Sequence, residues 1–89
     1  MKVRMVWDLP ISAKVFEELG EVIYTISKYV SSMELELADS EGMVFNVEPM
    51  KIAVGVTPAG DVVTTDRDLK KVVNELNCKF DKVSIWLES

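Results

Sequence analysis

Histidine is missing from this 89-residue chain, and cysteine occurs once, at Cys78. The first absence removes Ser-His-Asp and Cys-His catalysis, histidine-ligated metals and phosphohistidine transfer together. The second forbids an internal disulfide and any two-cysteine redox or zinc motif. Glutamine is also missing, and asparagine is confined to Asn46, Asn74 and Asn77. Scarce amides beside abundant Glu, Lys and Val make a thermophile-like composition. No apolar run reaches the roughly 18–20 residues of a membrane span. The start, MKVRMVWDLP, is interrupted by Asp8 and Pro10 before a signal-peptide core forms. The expected location is the cytoplasm, with no membrane partner.

What is present is 48% hydrophobic and 28% charged, with a net charge of −5. That acidity argues against a general phosphate-backbone binder, which needs clustered cations. The length fits one domain, 1–89, of a size that buries only roughly 60–65% of its unfolded surface and gains from a partner.

Hydrophobic periodicity divides the chain into elements. Val3, Met5, Trp7 and Leu9 alternate with Lys2, Arg4 and Asp8, the pattern of a half-buried strand ended by Pro10. Ser12 is a suitable N-cap, and apolar residues from Val15 to Met33 then recur every three or four positions. This predicts a helix over 12–32, with Phe16, Leu19, Ile23, Ile26 and Val30 as its main core residues, Glu18 on its polar side and Tyr24 outside. Gly20 marks either a close approach or a tolerated surface glycine. In 33–38, Met33, Leu35 and Leu37 point inward; Asp39–Gly42 is a turn with glycine at a position that often needs a positive φ. Met43–Glu48 forms the hairpin partner.

Near Pro49 the alternation slips by one residue, which implies either a bulged strand or two strands meeting at a corner. Thr57-Pro58-Ala59-Gly60 is a turn, and 61–64 returns beside 50–57. Thr65–Asp68 caps a second helix carrying Leu69, Val72, Val73 and Leu76, with Asn77 as its stop. Val83, Ile85 and Leu87 alternate with Lys82, Ser84 and Trp86 in a last strand. The fold expected is α+β: a two-layer, ferredoxin-like βαββαβ sandwich with an antiparallel sheet and both helices on one face. An extra hairpin near 50–64 either extends that sheet or replaces one of its strands. Such folds host unrelated activities, so function has to come from the surfaces.

With both helices on one side, the polar parity of each strand lines an open face. The first and last strands place Lys2, Arg4, Val6, Lys82 and Trp86 there; the middle pair place Glu34, Glu36 and Val44. One half reads as cationic and the other as anionic, with Trp86, Val6 and Val44 between. A solvated face with cross-strand pairs explains the charges alone. A two-fold dimer setting cationic half on anionic half, with Trp86 buried, explains the apolar residues as well. A nucleic-acid platform would want aromatics where Val6 and Val44 stand.

Chemistry-bearing residues are few. Cys78 reads as a buried small hydrophobe, since no base accompanies it. Gly60, Thr64 and Thr65 outline a weak anion-binding turn near a helix start. Asp39, Glu41, Asp61, Asp66 and Asp68 match no cation-loop spacing. No catalytic residue, metal ligand or cofactor is therefore assigned. The expected function is a small non-enzymatic binding or assembly module, partnered by itself or another protein. A regulatory domain holding a metabolite or anion between subunits is the alternative, and a carboxylate- or metal-dependent enzyme with an inter-subunit site the third reading.

Overall fold

The computed structural model describes residues 1–88. The elements are β1 (Lys2–Trp7), α1 (Ala13–Ser27), β2 (Val30–Ala38), β3 (Gly42–Pro49), β4 (Lys51–Val56), β5 (Val62–Asp66), α2 (Leu69–Lys79) and β6 (Val83–Glu88). Four strands form an antiparallel sheet in the order β2-β3-β1-β6. Strands β4 and β5 form a second, two-stranded sheet. The fold is thus α+β with two helices. The hairpin neither extends the main sheet nor replaces one of its strands; it stands apart as an arm.

One face of the main sheet is covered. Val3 and Met5 on β1 are fully buried beneath Val15, Leu19, Val22 and Ile26 of α1 and Leu69, Val72, Val73 and Leu76 of α2. Val83 and Ile85 of β6 and Val47 of β3 complete this core. Each such side chain contributes roughly 1.5–3 kcal/mol on burial.

Helix α1 is shorter than its periodicity predicts. The Ser12 side chain caps it by accepting from the Val15 N–H, but the helix ends at Ser27. There the Ser27 hydroxyl donates to the Tyr24 carbonyl, a local bond that competes with helix continuation. Val30 and Met33 satisfy both a helical and a strand pattern, and pairing with β3 takes them into β2. Phe16, expected in the core, is 65% exposed. At 3.6 residues per turn it lies about 90° from the centre of the buried stripe. Glu18, expected on the polar side, is only 2% exposed. Its Oε1 accepts from the Lys82 backbone N–H at 3.1 Å, closing the loop before β6 over the helix.

Helix α2 is capped by Asp68, which accepts from Lys71, rather than by Thr65. It runs past Asn77 to Lys79. The break near Pro49 is a corner: β3 ends there, and β4 starts after Met50 in the other sheet.

Two glycines separate by mechanism. Gly42 has no positive φ, but a Cβ there would lie 2.6 Å from the Met5 carbonyl oxygen, so close strand approach requires glycine. A Cβ on Gly20 would meet nothing within 4 Å. Gly20→Ala should therefore raise stability by about 0.5–1 kcal/mol in urea unfolding, through helix propensity and a less flexible unfolded chain. Gly42→Ala should lower it by about 1–3 kcal/mol, the usual cost of forcing atoms into a packed site.

Candidate functional site: the open sheet face and the projecting arm

On the uncovered face the strand register sets the side chains in rows. Glu34, Asn46, Lys2 and Glu88 form one row; Leu37, Val44, Arg4 and Trp86 form the next; Gly42, Val6 and Ser84 form the third. Leu37 was expected in the core. A register shift between Leu35 and Leu37 places it opposite Val44 instead, because one extra residue moves everything beyond it to the other face. Leu37 thereby shields Val44, which is only 4% exposed. A depression of about 110 Å³ separates Leu37, Val44, Val6 and Arg4. Val44 is part of this small second cluster rather than a free apolar patch.

The charges do not divide into a cationic and an anionic half. Lys2 and Arg4 sit together on the central strand, with Glu34 and Glu36 on one edge strand and Glu88 on the other. Lys82 falls outside β6, in the preceding loop. Lys2 Nζ is 2.9 Å from Glu36 Oε1, and Arg4 Nε is 2.7 Å from Glu88 Oε1. The same Glu88 oxygen accepts from the Trp86 indole N–H at 3.2 Å. These two hydrogen bonds, Arg4 first and Trp86 second, hold the Glu88 carboxyl below the usual carboxylate range. Trp86, 39% exposed, is tied to the face at its polar end and offers its ring outward. Glu88 was missed in the sequence because it is the terminal acid of an alternating run, with no motif around it.

The sheet's two edges differ. Strand β6 is closed by α2: the Asn77 amide donates to the Ile85 carbonyl at 2.6 Å and accepts from the Ile85 N–H at 2.9 Å. A side chain thus takes the place of a neighbouring strand, where the sequence suggested only a helix stop. Strand β2 carries register shifts that skip Ser31 and Glu36, irregularities of the kind that blunt an exposed edge.

The arm differs in kind from the rest. Every residue of β4 and β5 is exposed, including Ile52, Val54, Val56, Val62 and Val63 at 42–68%. Its root is pinned. The Met50 N–H donates to the Tyr29 carbonyl, the Arg67 N–H donates to the Met50 carbonyl, and the Arg67 guanidinium lies 4.2 Å over the Tyr29 ring. Lys51 pairs with Asp66 just beyond. Held outward in this way, the arm stretches the molecule to 57 × 25 × 18 Å. The radius of gyration is 15.4 Å, against about 12 Å for a compact chain of this length.

The weak anion turn is not assembled. Gly60, at φ +91°, is at the arm's tip, and its N–H donates to the Thr57 carbonyl. Thr64 and Thr65 lie along β5, about 13 Å away at strand rise. Among the loop acids, Asp39 accepts from the N–H groups of Glu41 and Gly42, Asp66 pairs with Lys51 and Asp68 caps α2. Cys78, expected buried, is exposed on the outer side of α2. Among the described residues no helix is long and apolar enough to cross a membrane. Comparison of the chain with protein-family models, curated proteins and solved structures returns no match.

Two outcomes test this geometry. Asn77→Ala should cost about 1–3 kcal/mol in urea unfolding, because it strips partners from the Ile85 N–H and carbonyl. Glu88→Gln should lower stability at neutral pH. A depressed folded-state pKa stabilises above the ordinary carboxylate range and loses that contribution as pH falls through it. The gap between variant and wild type should therefore close on acidification. An unchanged gap from pH 7 to pH 2 would remove Glu88 as its source.

Proposed function

We propose that this chain is a small assembly module rather than a catalyst, working as a homo-oligomer. Its body is a split-βαβ, ferredoxin-like sandwich into which the β4–β5 arm is inserted before α2. Support for the sandwich comes from the main sheet, in which β1 and β3 are central and β6 and β2 are edges. With the arm set aside, the remaining elements run strand, helix, strand, strand, helix, strand.

The observation that carries assembly is the arm. A lone two-stranded ribbon is marginal in water, and needs a third strand or a packed face to persist. This one exposes five Val and Ile side chains, and a rooted base holds it away from the core between sheet and helices. Apolar surface of that kind marks an interaction site. The open sheet face is the second surface. Its ion pairs are satisfied within the chain, so Leu37 and Trp86 are what it offers a partner.

Sedimentation equilibrium at about 100 µM should give twice the 10.0 kDa chain mass or a higher multiple. The thermal midpoint should rise with protein concentration, as it does when folding and association are linked. A monomer at that concentration overturns the reading. Trp86→Ala reports on the second surface: a loss of about 2 kcal/mol in association would make it an interface anchor, and no loss would leave the arm as the assembling element.

A further inference from the structure

We infer that the arm of one copy lies across the α1–β2 flank of a second copy, a two-fold axis repeating the contact in reverse; this rests on the self-association reading. The flank is the part of the helix layer that nothing covers. Helix α1 faces α2 through its Glu21 side, where Glu21 meets Lys79 at 3.5 Å, and Glu18 bonds the loop leading into β6. Phe16 and Ile23, two turns apart, point the opposite way, over β2. Below them Leu35 lies in register with Phe45, and Phe45 with the buried Val3. Leu35 is therefore on the helix side of the sheet, yet it is 56% exposed, and Phe45 is only half-buried. Phe16, Ile23, Leu35 and Phe45 thus border one apolar strip with no partner.

The arm matches that strip. Ile52 lies opposite Thr65, and Val63, two residues along β5, shares that face; a register shift leaves Val54 unpaired between Ala53 and Gly55. Its six-residue strand is about 20 Å long, close to the roughly 22 Å of the fifteen-residue α1. The arm cannot serve its own flank, because it leaves the body at Tyr29, past the end of α1, and extends the molecule away from it. Other resting places on a second copy are poorer. Asn77 closes the β6 edge, and ion pairs occupy the open face. A second copy brings both halves in equal number, and reciprocal docking closes the assembly. Reciprocal docking doubles the area that one eleven-residue arm can cover, toward the roughly 1,600 Å² of a stable interface.

The test uses the full chain in sedimentation, with circular dichroism confirming that each variant folds. Val63→Glu spoils the arm and Leu35→Glu the strip, both at exposed positions. Each should raise the dimer Kd at least about ten-fold, as removal of an interface anchor does. Mixed, the two variants should form more dimer than either alone, since the Leu35→Glu copy keeps an intact arm and the Val63→Glu copy an intact strip, which restores one of the two contacts. Phe16→Ser should act like Leu35→Glu. If mixing yields no more dimer than either variant alone while each folds, arm and strip are not partners and the inference fails. A Leu35→Glu chain that dimerises like wild type also overturns it, while leaving self-association standing. A monomeric wild type removes both.

Discussion

The structure depends on a core that one face of one sheet can fill. Val3 and Met5 on the central strand are sealed on the helix side, and the two helices that seal them are all the chain can supply. A chain of 89 residues has too little apolar volume for a second layer on the other face. The exposed apolar surfaces of this molecule follow from that limit. The opposite sheet face, the outer flank of α1 and the whole arm lie beyond its reach, and each shows apolar side chains to solvent.

The chain manages these exposed parts unequally. On the open face, Leu37 covers Val44, and Lys2 and Arg4 are neutralised by Glu36 and Glu88, so the surface is self-contained except for Leu37 and the Trp86 ring. At the β6 edge the Asn77 amide occupies the position of an absent strand. At the β2 edge two register shifts interrupt what would be a nine-residue template. The arm has one such shift, between Ala53 and Gly55, and no cover. Its root is secured by Tyr29, Met50 and Arg67, while its shaft carries apolar residues on both faces.

Glu18 makes the same point about energetics. A carboxylate 2% exposed, with Oε2 lacking a protein partner, is an expensive way to hold a loop, because burying charge opposes folding. Its Oε1 bond to the Lys82 N–H ties α1 to the turn that aims β6, and β6 brings Trp86 and Glu88 to Arg4. The arrangement of the open face is thus linked to a buried group on its far side.

Much of this was legible in the sequence. Alternation in 2–7, 43–48 and 83–87 set which side chains face the core, and the same parity put Lys2, Arg4 and Trp86 on the other face. The slipped phase at Pro49 announced a bulge or a corner without deciding between them, and the turns at Asp39–Gly42 and Thr57–Gly60 announced hairpins. These are local signals, carried by period and turn chemistry. What they could not convey was any event that requires a second segment. Tyr29 to Met33 fits helix and strand alike, and only pairing with β3 decides. The slip before Leu37 is invisible in MELELA, since alternation continues unbroken while the pairing does not. Glu18 and Phe16 sit two residues apart on one amphipathic helix. Which is buried depends on where the β6 loop and the β2 strand come to lie around it. Most of all, residues 50–64 spell a hairpin and nothing more. That it stands away from the sheet instead of joining it is set by the corner at Met50 and the hold of Arg67 on Tyr29, contacts between residues far apart in the chain. Period and turn chemistry wrote the elements; long-range pairing chose which apolar faces were covered and which stayed exposed.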